Sequence, residues 1–307
     1  MLRNFVFATG VLVLSLSGPV QSANAEKDEV SAYVFGHSLV YHKDPDQNVP
    51  VWLNQLAVAA GKKFSLSGQF GFINEHVQRG LPPRSKWRFR GVSSALQGGT
   101  GFEGANLTSV IITPKNFAQY QPVLAYGEQS PGSLLGDTIY LMDWVEKRRK
   151  NTKFYIYGGW ADMGAMKIGW GWKKVSSFPP SPSMLKTYHN YNGAQYHDWY
   201  VDYLAQIKKR RPDLDVRLIP IAKIMSKLYS DTSLKALKAT DLYEDTAPHG
   251  TATTYFIAAL VVYTMLYETK APQNYVPPAN IHKLVTDNYS EITKVICNEL
   301  QLGPACD

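Results

Sequence analysis

Short apolar segments alternate along this chain with longer segments of helical periodicity, and this alternation limits the possible folds more than any other feature. The apolar segments, rich in β-branched and aromatic residues, occupy 32–36, 63–71, 107–114, 153–164 and 216–221. Between them, apolar residues recur at helical spacing over 49–63, 136–151 and 194–213. This pattern predicts βαβ units, with parallel strands and helices on both faces of one sheet. We therefore expect an α/β protein, a three-layer α/β/α fold with a mainly parallel sheet of the flavodoxin-like type.

The segment 1–25 has the layout of an export signal. Arg3 precedes an apolar segment over 5–16, and a small-residue triplet follows at 23–25. This order is typical of a secretory signal peptide that is cleaved before Glu26. The apolar segment is shorter than the roughly 20 residues that cross a bilayer, and no later segment is long and apolar enough either. We expect an exported protein, periplasmic or secreted, with no transmembrane segment in its mature form.

The remaining residues, 26–307, contain no Pro/Gly/Ser-rich linker, low-complexity tract or internal repeat, and we expect a single domain. The hydrophobic and charged fractions, 45% and 19%, are those of an ordinary globular protein. The formal charge is +7, and part of it comes from basic runs at 146–150 and 208–211. Cations favour helix C-termini, so these runs indicate solvated helix ends, and nucleic acid is not an expected partner. An acidic polysaccharide or a membrane surface stays open as a partner.

The two cysteines, Cys297 and Cys306, both lie near the C-terminus. In an oxidising compartment, two cysteines that close a short loop usually form a disulfide. No motif for a thiol nucleophile surrounds either residue. We expect a Cys297–Cys306 disulfide that fixes the C-terminal segment.

Polar residues and glycines follow the predicted strands, where parallel sheets place their chemistry. Ser38 follows the first strand, Gly71 the second and Asn116 the third, and a segment with Asp245 and His249 precedes a long apolar helix. Because the carboxyl ends of parallel strands meet at one edge of the sheet, we expect these residues to converge.

This set suits acyl transfer through a serine. A serine hydroxyl becomes a good nucleophile when a base within about 3 Å takes its proton and a third group orients that base. We assign Ser38 as the nucleophile, His249 as the base and Asp245 as the orienting acid. The oxyanion of the tetrahedral intermediate needs preorganised donors. The candidate donors are the N–H of Ser38, the N–H of Gly71 or Gly68, and the side-chain amide of Asn116.

The beginning of this arrangement resembles the SGNH (GDSL-like) hydrolases, whose serine lies in a Gly-Asp-Ser-Leu motif directly after the first strand. This chain has "FGHSLV" there, so that Gly36, Ser38 and Leu39 match and His37 replaces the aspartate. In the family, that aspartate mainly supports the turn. The resemblance extends through the strand order over most of the mature chain and implies a metal-independent ester hydrolase that needs no cofactor.

The other family motifs are partly kept. The glycine after the second strand corresponds to Gly71 in "SGQFG", and the Gly-x-Asn-Asp motif keeps only Asn116, in "TPKNF". The Asp-x-x-His motif before a C-terminal helix is similar to "EDTAPHG", in which Asp245 stands one residue farther from His249 and Thr246 occupies the family's position.

The extra residue before His249 leaves two alternatives to Asp245 as the orienting acid, Glu244 and Asp241. A metal site is a second use for the histidines, since "HSLVYHKDPD" combines His37 and His42 with two aspartates. Their spacing is not the i, i+4 pairing that places two ligands on one helix face, and no cysteine or third local histidine completes the set. We therefore expect no metal ion.

Aromatic residues are concentrated in a segment around 160–195, which is longer than a usual strand-to-helix connection. We expect Trp160, Trp170 and Trp172 to bind substrate, because flat rings beside Lys173 and Lys174 suit stacking on an anionic glycan. Packing that orders a long loop is the alternative use of these rings.

Together, the residues and the resemblance predict an exported serine esterase that removes an O-acyl group from a carbohydrate through an acyl-serine intermediate. A lipid or small ester stays open as the substrate. Two alternatives use the same fold: an acyltransferase with the same residues, and a non-catalytic glycan-binding protein. Hydrogen-bond reach between His249 and Ser38 separates the enzymes from the binding protein.

Overall fold

The computed structural model describes residues 27–84, 86–96, 101–115, 123, 132–168 and 171–306, and at 167, 168, 171 and 172 it describes the backbone alone. The predicted signal peptide therefore lies outside the described residues, as do Asn116 and Trp170.

The core of the fold is a five-stranded sheet in which every neighbouring pair is parallel. Its strands are β1 (Glu29–Gly36), β2 (Lys63–Phe70), β3 (Ser109–Ile112), β4 (Lys153–Tyr157) and β7 (Val216–Ile219). A separate antiparallel pair is formed by β5 (Met166–Ile168) and β6 (Gly171–Lys173). The spatial order β2-β1-β3-β4-β7 is the flavodoxin-like order, which places a topological switch point between β1 and β3. The predicted three-layer fold is confirmed.

Eleven α-helices are found in the described part of the chain. They are α1 (Val49–Ala59), α2 (Ile73–Arg79), α3 (Gly101–Gly104), α4 (Leu134–Glu146), α5 (Pro182–Gly193), α6 (Gln195–Arg210), α7 (Ile221–Asp231), α8 (Ala239–Leu242), α9 (Ala252–Tyr267), α10 (Lys283–Asp287) and α11 (Tyr289–Glu299). The helix after "EDTAPHG" was expected to be the last, but α10 and α11 follow it. Helices α2, α3, α5, α7 and α8 were also not predicted.

Successive residues of β1 face opposite helical layers, as a strand requires. Val34 lies against Leu53 of α1 and Val262 of α9. Its neighbour Tyr33 packs against Phe102 of α3, with ring centroids 5.3 Å apart. Both faces of β1 are thus covered, which explains why its sequence is apolar almost throughout rather than alternating.

The helix that follows the predicted acid and base, α9, is buried on all sides, and its nearly continuous apolar sequence reflects this position. Within the described residues, no helix has the length and apolar character needed to cross a membrane. The predicted disulfide is present: Cys297 of α11 is bonded to Cys306, with Cα atoms 5.5 Å apart.

Candidate functional site

Ser38 lies in the turn that leaves β1, at the switch point of the sheet. Two tyrosine hydroxyls hold this turn: Tyr157 donates to the Leu39 carbonyl at 2.9 Å and Tyr255 donates to the Ser38 carbonyl at 2.7 Å. Within the described residues, the Ser38 N–H has no hydrogen-bond partner. The backbone of Ser38 is therefore fixed from β4 and α9, while its N–H is available to an oxyanion.

His37 supports the same turn through its side chain. Its Nε2–H donates to the Pro114 carbonyl at 2.8 Å, and its Nδ1 accepts the Leu39 N–H at 3.4 Å. These two contacts require the neutral ring with its proton on Nε2. Burial lowers the pKa of His37 to about 4, and the neutral form is therefore the stable one near neutral pH. A neutral histidine thus ties the turn to the end of β3, at the position where the SGNH motif has aspartate.

Asp245 and His249 are brought together as an acid–base pair. Asp245 Oδ2 lies 2.6 Å from His249 Nδ1, and Asp245 Oδ1 accepts the backbone N–H groups of Ala247 and His249 at 3.0 Å each. Burial by itself would raise the pKa of Asp245, but the hydrogen bonds from His249 and Ala247 outweigh it and hold that pKa below its usual value. An ionised Asp245 fixes the proton of His249 on Nδ1 and leaves Nε2 to act as a base.

The two alternative acids have other partners. Glu244 Oε2 lies 3.3 Å from Lys43 Nζ in an exposed ion pair. Asp241 Oδ2 accepts the Lys238 N–H at 2.8 Å, at the start of α8. The extra residue between Asp245 and His249 is accommodated because Asp245 closes the intervening turn with its own carboxylate.

The loop after β4 holds the segment that carries His249. The indole Nε1–H of Trp160 donates to the Pro248 carbonyl at 2.8 Å, and the Met163 N–H donates to the Thr246 carbonyl at 3.1 Å. The Trp160 side chain is only 1% exposed. The prediction that Trp160 binds substrate is therefore corrected, because its ring is buried and positions the His249 segment. Of the other two tryptophans, Trp172 is described only by its backbone in β6.

The glycines after and within β2 do not supply the expected oxyanion donor. The Gly71 N–H already donates to the Gly36 carbonyl at 2.9 Å, as part of the pairing between β1 and β2. Gly68 lies inside β2, where a Cβ would come within 2.6 Å of the Trp87 ring. Packing requires glycine at 68, and strand pairing uses the N–H at 71. Of the three predicted oxyanion donors, the Ser38 N–H is the one that is available within the described residues. Asn116 lies outside them.

His42 was missed as a residue of this site. Its ring stacks on that of His249, with centroids 3.5 Å apart and planes inclined by 7°. Burial lowers the pKa of His42, and the neighbouring His249 lowers it further. The sequence "HSLVYH" contained a signal for this residue, because the second histidine, His42, comes shortly after Ser38. Within the described residues, no group of three or more metal-ligating side chains is found.

Asp162 is a second residue that sequence reasoning did not assign. It follows Trp160 in the loop after β4, and its Oδ1 accepts the Gly164 N–H at 2.6 Å. Burial raises the pKa of Asp162, and the charge of Asp245 raises it further. The hydrogen bond from the Gly164 N–H lowers this pKa but does not cancel the increase. The charges of the acid–base pair therefore influence a second carboxyl group.

Within the described residues, no hydrogen bond joins the side chains of Ser38 and His249. Within the described residues, the Ser38 hydroxyl has no hydrogen-bond partner. His249 nevertheless lies close enough to the turn that its charge contributes to the lowered pKa of His37. The described part of the site thus contains an oriented base, a turn with an available N–H, and a serine whose hydroxyl forms no hydrogen bond within the described residues.

Comparison with known proteins supports the fold alone. No protein-family model and no curated protein matches the chain. The crystal structure of a DUF4886 family protein from Bacteroides uniformis ATCC 8492 is similar, with a TM-score of 0.55 and 13% sequence identity. The similarity covers 89% of this chain and 95% of that one. At this identity the shared property is the α/β/α architecture.

Proposed function

We propose that this chain is an exported serine esterase of the SGNH type, which removes an O-acyl group from a carbohydrate. The observation that carries the proposal is the Asp245–His249 pair, with Asp245 Oδ2 at 2.6 Å from His249 Nδ1, held near the turn of Ser38. A carboxylate, an imidazole and a serine at the switch point of a parallel sheet are the groups that acyl transfer requires.

The proposed reaction has two halves. As the Ser38 oxygen attacks the ester carbonyl, His249 Nε2 takes the hydroxyl proton and Asp245 stabilises the imidazolium. The Ser38 N–H donates to the oxyanion, and Asn116 is proposed as the second donor. Collapse of the tetrahedral intermediate breaks the C–O bond, and His249 returns the proton to the leaving alcohol. Water then attacks the acyl-serine as His249 takes its proton, and the bond between the acyl carbon and the Ser38 oxygen breaks. His249 returns the proton to the Ser38 oxygen, and the carboxylic acid leaves.

We assign the hydrogen bond between the Ser38 hydroxyl and His249 Nε2 to the substrate-bound state. Catalytic hydrogen bonds are often long or misaligned in ligand-free hydrolases and tighten when the substrate binds. Because the Ser38 carbonyl is anchored by Tyr255 at 2.7 Å, this step needs movement of side chains and not of the turn.

A carbohydrate is proposed as the substrate because export, the family resemblance and the basic charge of +7 agree with it. The exposed Lys173 and Lys174 lie at the end of β6 and suit an anionic polymer. The alternative of a non-catalytic glycan-binding protein is favoured by one observation, the unengaged Ser38 hydroxyl.

The experiment is hydrolysis of p-nitrophenyl acetate by the mature protein from Glu26, beside Ser38→Ala and His249→Ala and with Glu244→Gln as the matched control. We expect turnover that both site variants abolish, that Glu244→Gln leaves unchanged and that a chelator does not affect. Turnover that persists in Ser38→Ala would contradict the serine mechanism. If the parent protein is inert on this ester and on an O-acetylated polysaccharide, yet binds the polysaccharide, the binding alternative replaces the enzyme.

A further inference from the structure

A cavity lies between α5, α7 and the segment 233–240. Its volume is about 790 Å³, within the range of roughly 300–1,000 Å³ that is common for small-molecule sites. None of its lining residues belongs to the candidate site described above.

Half of the lining of this cavity is aliphatic. Its proline, leucine and alanine residues include Pro179, Pro182, Leu185, Leu234 and Leu237. The three leucines are also part of the buried core, so these walls are rigid. Saturated carbon chains pack well against such surfaces. Sugar rings are usually bound by exposed aromatic faces, whereas the two aromatic rings of this lining, those of His189 and Tyr229, are buried.

The lining also carries three lysines, Lys186, Lys235 and Lys238, and no carboxylate. All three lysines are exposed, and within the described residues none of them forms a salt bridge. Three unpaired ammonium groups beside an apolar cavity attract a ligand whose anionic group stays near solvent while its body is buried.

One wall contains a polar group that lacks a partner. The rings of His189 and Tyr229 lie 4.7 Å apart, and both residues line the cavity. His189 Nε2 is buried without a hydrogen-bond partner in the described part of the chain. Buried polar groups in native proteins are nearly always satisfied, so a water molecule or a ligand is expected at this wall.

The cavity is separated from the His249 segment by aromatic side chains. The His189 ring lies 6.5 Å from that of Tyr243, whose backbone pairs with Gly250, directly after His249. Tyr188 packs edge-on against Tyr243 from the same helix as His189, with centroids 5.7 Å apart. A ligand in the cavity therefore does not contact the Asp245–His249 pair.

We propose that this cavity is a binding site for an amphiphilic carboxylate, with its aliphatic body between α5, α7 and Leu237 and its carboxylate among Lys186, Lys235 and Lys238. The proposal rests on the lining and its charge, and it holds whether or not the chain is an esterase.

The test is titration calorimetry of the mature protein with decanoate, beside 1-decanol and acetate. Two variants change the cavity: Ala236→Trp fills it from an exposed lining position, and a triple Lys→Ala variant at 186, 235 and 238 removes its charge. Lys223→Ala, an exposed lysine of α7 outside the lining, is the matched control. Thermal unfolding of each variant verifies that it is folded.

We expect one decanoate per chain, binding weakened about tenfold or more in the triple variant, no binding in Ala236→Trp, and no change in Lys223→Ala. Acetate should not bind, and 1-decanol should bind more weakly than decanoate. The proposal is overturned if the parent protein does not bind decanoate, or if folded Ala236→Trp binds it as the parent does. If decanoate and 1-decanol bind with equal affinity, and the triple Lys→Ala variant binds decanoate as the parent does, the ligand is not recognised by its negative charge and that part of the proposal is overturned.

Discussion

Replacing Asp245 with asparagine separates the action of this residue on the His249 ring from its hydrogen bonds to the backbone. Asparagine keeps an oxygen that accepts the N–H groups of Ala247 and His249, which now bond to Asp245 Oδ1 at 3.0 Å. It places an NH₂ group 2.6 Å from His249 Nδ1, where the carboxylate oxygen stood. Two donors cannot face each other, so His249 must carry its proton on Nε2, and it can no longer take one from Ser38.

The expected cost is large because the wrong tautomer removes the base while leaving the fold. In serine hydrolases with this arrangement the change lowers kcat about 10⁴-fold, or roughly 5.5 kcal/mol of barrier at about 1.4 kcal/mol per tenfold. The two backbone hydrogen bonds are retained, so we expect a loss of unfolding free energy below about 2 kcal/mol.

The assay measures kcat on the ester that the parent protein turns over, beside the two other acids that sequence reasoning left open. Glu244→Gln and Asp241→Asn should stay within about threefold of the parent, since neither side chain hydrogen-bonds to His249 and an exposed ion pair contributes little. Proton NMR should show a hydrogen-bonded His249 Nδ1–H in the parent and lose it in Asp245→Asn. The reasoning is refuted if Asp245→Asn retains kcat within about tenfold, or if Glu244→Gln falls as far.

Three further outcomes follow from the structure. His42→Ala should lower kcat by about threefold to tenfold, because a stacked ring pair contributes about 0.5–1.5 kcal/mol. His42→Phe should retain most of that contribution by covering the same face of His249, and equal losses in both variants would contradict a positioning role. The double variant Cys297→Ser, Cys306→Ser should lose about 2–3 kcal/mol of unfolding free energy in urea titrations under oxidising conditions, because its disulfide closes a loop with a sequence separation of 9; an unchanged midpoint would show that the bond contributes nothing. Stability should also fall as the pH is lowered from about 6.5 to about 4, since the pKa of His37 drops to about 4 on folding and only the unfolded chain takes up its proton in that window. This residue alone accounts for up to about 3 kcal/mol at pH 4, and denaturation of His37→Asn at several pH values should show a shallower slope; an identical slope would exclude His37 as the cause.

The strands were the part of the fold that local sequence specified best. The central strands β1 and β3 are buried on both faces, and their apolar, β-branched residues signal this position without reference to partners. Helix α5 was missed because its segment is polar and aromatic, without a clear apolar stripe. Helix α7 was missed because it begins at Ile221, one residue after Pro220 at the end of β7, where the sequence reads as a continued strand.

The sequence by itself therefore determined the α/β class, the disulfide, and the identities of Ser38, Asp245 and His249 as the residues to examine, because apolar periodicity, loop length and residue chemistry are local properties. Only the tertiary structure decided how these residues are arranged. The stack of His42 on His249, the burial of Trp160 and the use of the Gly71 N–H in strand pairing all depend on segments that are distant in sequence. Hydrogen bonds and ring contacts between distant segments are set by how strands pair and helices pack. Local sequence does not contain that information.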